Sequence, residues 1–126
     1  MNPDDPSAWA RLAEDDWHLA VSLLRRKKLP IQGICFHAQQ SAEKYLKAVL
    51  VSRRVYFPKT HDLVFLNQLC EQSGILSGFA VEDVALLTDF AVQVRYPGEE
   101  PDETDARRAV EIARSVRRFA RRWLGI

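Results

Sequence analysis

Apolar residues recur along this chain every three or four positions, which is the spacing of one face of an α-helix. The pattern predicts five helical segments: from Ser7 to about Lys28, from Pro30 to about Ser52, from a cap at Thr60 to near Gly74, a segment after Gly78 marked by Val84, Leu87, Ala91 and Val94, and a last one from near Thr104. Because the long segments are joined by short links, we expect antiparallel packing in an all-α bundle.

The second predicted helix has two unlike faces. One is apolar and suits the core. The other carries an aromatic ring, two amides, a carboxylate and an ammonium, from Phe36, Gln39, Gln40, Glu43 and Lys47. An aromatic ring is out of place on a face that meets only water, so this face favours contact with a partner subunit or a ligand. For Glu43 and Lys47 alone, an ordinary ion pair four residues apart is the simpler explanation.

A carboxylate interrupts the apolar face of the first predicted helix. On the helical wheel Asp16 falls among the apolar residues Trp9, Leu12, Ala13, Ala20 and Leu23. Burying a carboxylate alone is costly, so a buried Asp16 requires a cation, for which Lys47, Arg95 and His61 are candidates. The alternative is a helix rotated far enough for Asp16 to reach water. The neighbouring Glu14 points outward and is expected to be solvated.

Length and composition are those of a globular protein with one domain, residues 1–126. The 18 basic and 17 acidic residues nearly cancel, so the net charge identifies no partner. No apolar run approaches the ~20 residues of a membrane span, and the acidic N-terminus lacks the features of a signal peptide. Cys35 and Cys70 occupy apolar helical positions and are expected to be buried thiols in a reducing cytoplasm.

Basic residues are concentrated at two places. The last predicted helix bears Arg107, Arg108, Arg114, Arg117, Arg118, Arg121 and Arg122, and the first ends in Arg25-Arg26-Lys27-Lys28. Solubility and the favourable interaction of cations with a helix C-terminus explain such residues without a partner. An electrostatic contact with RNA or with an acidic partner is the other explanation.

The sequence offers few residues for metal or cofactor chemistry. The histidines, His18, His37 and His61, have no metal-ligand spacing with one another or with the cysteines. The glycines are not grouped into a phosphate-binding loop. We therefore expect no metal and no cofactor.

A nucleotide, if bound, would have to be held by side chains. Arg95, Lys47 and Lys44 are the cations that would contact phosphate. Tyr96 would either stack on a base or, as is common for a tyrosine beside proline, cap the core.

Four motifs, in their order and at their separations, resemble the HEPN domain, a helical family named for higher eukaryotes and prokaryotes nucleotide binding. They are Ala13-x-x-Asp16-Trp17-x-x-Ala20, Phe36-His37-Ala38-Gln39-Gln40-Ser41-Ala42-Glu43-Lys44-Tyr45-Leu46-Lys47-Ala48, Pro58-Lys59-Thr60-His61-Asp62-Leu63 and Arg95-Tyr96-Pro97. The resemblance extends over about residues 8–124. It implies an up-and-down antiparallel four-helix bundle core with an extra short helix, commonly in a homodimer.

The resemblance also implies a partner and an activity, although the sequence lacks one residue of the motif that carries this activity. Small HEPN proteins are often encoded beside a minimal nucleotidyltransferase (MNT), and many such pairs are toxin–antitoxin modules. HEPN ribonucleases use an Arg and a His separated by four to six residues, whereas here no histidine follows Arg95. RNA cleavage without a metal needs one group to take the 2′-OH proton and another to stabilise the phosphate charge. Arg95 suits the second task, and only His37 or His61 could be brought by the fold to the first.

The sequence therefore predicts one polar cleft and favours binding over catalysis. Arg95, Lys47 and Glu43 are expected in this cleft, the two cations contacting phosphate and the carboxylate orienting one of them. The favoured function is a cytoplasmic nucleotide-binding and partner-docking subunit of a HEPN/MNT pair. The alternative is a HEPN ribonuclease toxin with a degenerate or rearranged active site.

Overall fold

The computed structural model describes residues 2–91 and 96–126 of the chain. Its helices are α1 (Pro6–Leu24), α2 (Ile31–Ser52), α3 (Leu63–Gln72), α4 (Val81–Thr88) and α5 (Glu103–Leu124), with a 3₁₀ turn over Asp89–Ala91 directly after α4. Within these described ranges all regular secondary structure is helical. The predicted all-α class is confirmed.

The first helix differs from its predicted bounds at both ends. It begins at Pro6, because the Asp5 carboxylate accepts a hydrogen bond from the Ser7 N–H and caps the helix. It ends at Leu24 rather than near Lys28. The four basic residues that follow are all exposed, so helix there would bury no apolar surface and would stack like charges.

The other helices lie close to their predicted positions. The carboxylate of Asp62, not Thr60, caps α3, accepting from the N–H groups of Val64 and Phe65. The predicted fourth helix is shorter than expected, since α4 gives way to the 3₁₀ turn at Asp89, and Val94 lies outside the described residues. A reciprocal capping box between Asp102 and Asp105 begins α5.

The central helix is α2, which contacts each of the other helices and packs most extensively against α1. Alanines at the α1–α2 contact allow close approach: Ala13, Ala20, Ala38 and Ala42 are fully buried. The two helices are antiparallel, because Trp9 near the start of α1 lies beside Lys47 in the second half of α2, while Leu23 at the end of α1 lies against Gly33.

The core explains two differences from the predicted apolar face of α1. Trp17 is buried, whereas Leu12 is 37% exposed, so the inward face is rotated toward Trp17.

Cys35 and Cys70 are buried thiols as expected, and desolvation raises the pKa of Cys70 to about 12. None of the helices in the described ranges has both the length and the apolarity needed to cross a membrane.

Candidate functional site

The polar face of α2 is largely folded inside the chain. Gln39 is fully buried, and Glu43 and Lys47 are only 3% and 6% exposed. These three side chains therefore contact other parts of the same chain instead of forming an exposed face. The chain that leaves α2 folds back over them, placing the ring of Phe57 beside Lys47 and the main chain of His61 against Gln39.

The Glu43 carboxylate is the centre of this buried cluster. Lys47 Nζ donates to Glu43 Oε2 at 2.9 Å, and Gln39 Nε2 donates to Oε1 at 3.2 Å. His61 Nδ1 lies 2.8 Å from the same Oε1. The second N–H of the Gln39 amide bonds the His61 carbonyl at 3.1 Å, and Gln40 donates to the Gln39 amide oxygen. These bonds compensate the desolvation of the carboxylate and fix its orientation.

A cavity of ≈ 460 Å³ opens beside this cluster, with Lys47 in its wall. We call it the Lys47 cleft, lined by Pro3, Asp4, Trp9, Lys47, Val51, Val55, Tyr56, Phe57, Pro58 and Lys59. The Lys47 ammonium is 5.5 Å from the Trp9 ring centroid and 5.7 Å from that of Phe57, within cation–π range. Tyr56 is 86% exposed at the cleft. The cleft thus combines aromatic surface with the cations of Lys47 and Lys59.

A second carboxylate cluster lies between α1 and α2. Asp16 is 7% exposed, so its predicted burial is correct. Its Oδ1 is 2.8 Å from His37 Nδ1, and its Oδ2 accepts from Lys44 Nζ at 2.5 Å. Two of its expected partners, Lys47 and His61, bind Glu43 instead. The rotation of α2 decides this choice, since residues 37 and 44 are two turns apart on the side of α2 that meets α1.

A third cluster corrects the expectation that Glu14 is merely solvated. Arg117 donates to Glu14 through Nε and Nη2, at 2.7 and 2.6 Å, and the buried Tyr45 hydroxyl donates to the same carboxylate. The Arg117 hydrogen bonds lower the pKa of Glu14 from 4.5 to about 2. Desolvation raises the pKa of Tyr45, and its hydrogen bond to Glu14 adds to the rise.

Two of the three residues predicted for one polar cleft, Glu43 and Lys47, lie together. Glu43, Lys47 and His61 are together, while His37 belongs to the Asp16 cluster. Arg95 lies outside the described residues, and Tyr96 is 76% exposed. The half-buried Phe36 packs its ring edge-on against His37 at 5.3 Å.

Sequence reasoning missed the aromatic walls of the cleft and the role of Lys44 as the Asp16 partner. Helical spacing assigns Trp9 to the core, and the chain pattern assigns Tyr56 and Phe57 only to a loop. The one available signal was a pair of adjacent aromatic residues before Pro58. Among the described residues, no three His, Cys, Asp or Glu side chains are grouped so that they could hold a metal ion.

Comparison with known proteins gives both a fold and a family. The crystal structure of TT1696 from Thermus thermophilus is similar to 94% of this chain and to 97% of its own chain, with a TM-score of 0.70 and 21% sequence identity. Comparison with curated proteins gave no significant match. The sequence model of the HEPN domain matches residues 6–123, nearly the whole chain. This protein belongs to the HEPN domain family.

Proposed function

We propose that this chain is a nucleotide-binding and partner-docking subunit that acts with a minimal nucleotidyltransferase, as one half of a toxin–antitoxin pair, and has no catalysis of its own. The observation that carries the proposal is the Lys47 cleft, where exposed aromatic surface adjoins two lysines. Membership of the HEPN family supports it, since that family includes partners of such transferases.

The chemistry of the cleft suits a nucleotide. The open Tyr56 ring offers a surface for base stacking, worth about 1–3 kcal/mol per base in nucleic-acid complexes. The exposed Lys59 supplies a cation for phosphate, and Lys47, whose charge is balanced by Glu43, offers a remaining ammonium N–H. Arg95 contributes the second phosphate contact in this proposal, with Tyr96 beside it.

The assembly belongs to the same proposal. The chain is one domain whose helices form an up-and-down antiparallel four-helix core with an extra short helix, and it acts in the cytoplasm as a homodimer. Phe36 and Gln40 are its interface residues, because both are only half-buried within the chain. Gln39 is excluded from that interface by its complete burial.

The test is titration of the purified chain with nucleotides in a calorimeter. We expect weak, salt-sensitive binding of ATP and AMP and little binding of ribose 5-phosphate, which lacks the base. Tyr56→Ala should weaken AMP binding about tenfold through lost stacking, and Lys59→Gln and Arg95→Ala should weaken ATP binding. Leu76→Ala removes a similarly exposed apolar side chain elsewhere and serves as the control. Unchanged ATP affinity in both Tyr56→Ala and Lys59→Gln would exclude the cleft as the nucleotide site.

The transferase partnership needs its own experiment. The chain is co-expressed with the nucleotidyltransferase encoded beside it, and the mixture is run on a size-exclusion column. Co-elution at a fixed ratio supports the pair, and separate elution or the lack of an adjacent transferase gene contradicts it.

One observation favours a ribonuclease as the second candidate. The Nδ1 of His61 and that of His37 each face a buried carboxylate, an arrangement that orients the other ring nitrogen to accept a proton. With no His after Arg95, we expect no cleavage of single-stranded RNA by the purified chain in EDTA. Robust cleavage that is abolished by Arg95→Ala and by either His37→Ala or His61→Ala would establish the enzyme instead.

A further inference from the structure

Arginines of α5 converge on a cavity that lies apart from the Lys47 cleft. The cavity measures ≈ 400 Å³ and is lined by Trp17, Arg114, Arg117, Arg118, Arg121, Arg122 and Ile126. We call it the arginine groove. The five arginines follow one another at intervals of one and three residues, which places all of them along one side of the helix over about two turns.

Trp17 of α1 forms the floor of the groove and holds two of its guanidinium groups. Arg114 and Arg117 lie over the indole at 5.5 and 5.4 Å from the ring centroid. Such stacking orients a guanidinium before a ligand arrives and so reduces the entropy lost on binding. Because Trp17 is only 8% exposed, its ring is not available for stacking on a base.

Positive charge in the groove exceeds the carboxylate charge beside it. Glu14 is matched by Arg117, and Glu111 by Arg114 at 2.5 Å. Arg121 approaches Glu14 at 4.0 Å and donates to the Tyr45 hydroxyl at 3.3 Å. Arg118 and Arg122 are exposed, and no hydrogen bond or ion pair joins either of them to another residue within the described ranges. The unmatched guanidiniums have donors to offer to an anion.

The row of arginines is long enough for more than one anionic group. From residue 114 to residue 122 an α-helix rises about 12 Å, and phosphates along one strand of a duplex are spaced about 3.4 Å along the axis. We infer that the arginine groove binds a phosphate chain, through charge and guanidinium hydrogen bonds rather than through bases. A strand of RNA and free polyphosphate share this chemistry, and the experiment separates them.

The test measures binding of a fluorescein-labelled oligouridylate by anisotropy at several salt concentrations, with tripolyphosphate as competitor. The variant R118Q/R122Q removes the two exposed guanidiniums, and R25Q/R26Q removes the same charge from the exposed end of α1 as a matched control. We expect about a tenfold loss of affinity in R118Q/R122Q at low salt and a salt slope smaller by about 1.4, the value for two phosphate contacts on a single strand. The control should lose far less.

Each possible result of the anisotropy experiment either supports or overturns phosphate binding by the arginine groove. Affinity that rises with oligouridylate length assigns the groove to an RNA backbone, and tripolyphosphate that binds as tightly as the longest oligonucleotide assigns it to free polyphosphate. Equal losses in the two variants, or no loss in either, overturn the inference. Preferential binding of a poly-glutamate peptide would overturn it in favour of an acidic protein partner. AMP titration of Tyr56→Ala tests the nucleotide cleft, and tripolyphosphate binding by R118Q/R122Q tests the groove without any base, so the failure of one proposal is distinguishable from the failure of the other. Tags are placed at the N-terminus, because Ile126 lines the groove.

Discussion

Arg117 holds Glu14 with two parallel hydrogen bonds, Nε to Oε1 at 2.7 Å and Nη2 to Oε2 at 2.6 Å, across 103 residues of sequence. Tyr45 donates its hydroxyl hydrogen to the same carboxylate. One side chain from each of α1, α2 and α5 therefore meets at this point. A two-point contact between a guanidinium and a carboxylate is directional as well as strong, so it fixes how α5 lies along α1.

The Glu14 carboxyl should make stability fall in acid. Its pKa is about 2 in the folded chain against an ordinary value of 4.5, so the stabilisation is fully present above pH 4.5 and is lost as the pH falls toward 2. Because the side chain is 21% exposed, we expect about 1–2 kcal/mol rather than the full value of the shift. Urea unfolding at pH 7 and pH 3 should show a larger loss in the wild type than in Glu14→Gln. Asp15→Asn, an exposed neighbour, is the control and should behave as the wild type does.

Removing the Asp16 carboxylate should destabilise the fold. Asp16→Ala leaves Lys44 without its anion in a site that is only 23% exposed for that side chain, and we expect a loss of about 2–4 kcal/mol in the free energy of unfolding. The double variant Asp16→Ala/Lys44→Met should recover part of this loss, because the orphaned cation is gone. A loss within about 0.5 kcal/mol for Asp16→Ala would place the carboxylate in water and contradict the buried pair.

Removing one partner of the Glu43–Lys47 pair should also cost more stability than replacing both partners. The effect should be larger here than at Asp16, because both side chains are almost fully buried. Glu43→Gln should cost about 3 kcal/mol by leaving the Lys47 ammonium without an anion among aromatic rings. Glu43→Leu combined with Lys47→Met should cost less than Glu43→Gln alone, since apolar groups can fill the site without an unpaired charge. Thermal unfolding of the wild type and the two variants ranks their stabilities. A double variant less stable than Glu43→Gln would contradict this prediction.

Phe36 should contribute to a subunit contact. We expect a species of about twice 14.5 kDa in sedimentation experiments at micromolar concentration. Phe36→Ala should raise the dissociation constant of the dimer about tenfold, because an aromatic anchor of the interface is lost. Leu76→Ala, at a 75% exposed position between α3 and α4, should not. A single 14.5 kDa species for the wild type would remove the shared interface from the proposal.

Periodicity predicted the helices well, because apolar spacing within a segment is a local property. It identified Asp16 as buried for the same reason: the position of one residue on a helical wheel depends only on its neighbours in sequence. The partner of Asp16 could not be derived in this way. Whether Lys44 or Lys47 meets that carboxylate depends on how α2 is rotated against α1, and the packing of the two helices sets that rotation.

The site was harder to predict because later parts of the chain complete it. Glu14 looks solvated on α1 alone, and only the arrival of Arg117 from α5 makes it part of a partly buried ion pair. Gln39 and Lys47 look like an outer face of α2 until the segment with Phe57 and His61 folds over them. Both errors concern polar residues that are satisfied at long range, where a hydrophobic pattern carries no information.

The central helix is fixed in rotation by charge as well as by packing. Turning α2 by one residue would move its side chains by about 100°. That rotation would separate Lys44 from Asp16 on one side and carry Glu43 away from His61 on the other. The first separation would leave the Asp16 carboxylate and the Lys44 ammonium unpaired, and the second would remove a hydrogen bond from the buried Glu43 carboxylate, so one rotational register is favoured. We expect a helix locked in this way to open only together with the rest of the fold, so its backbone amides should be the last in the chain to exchange with deuterium.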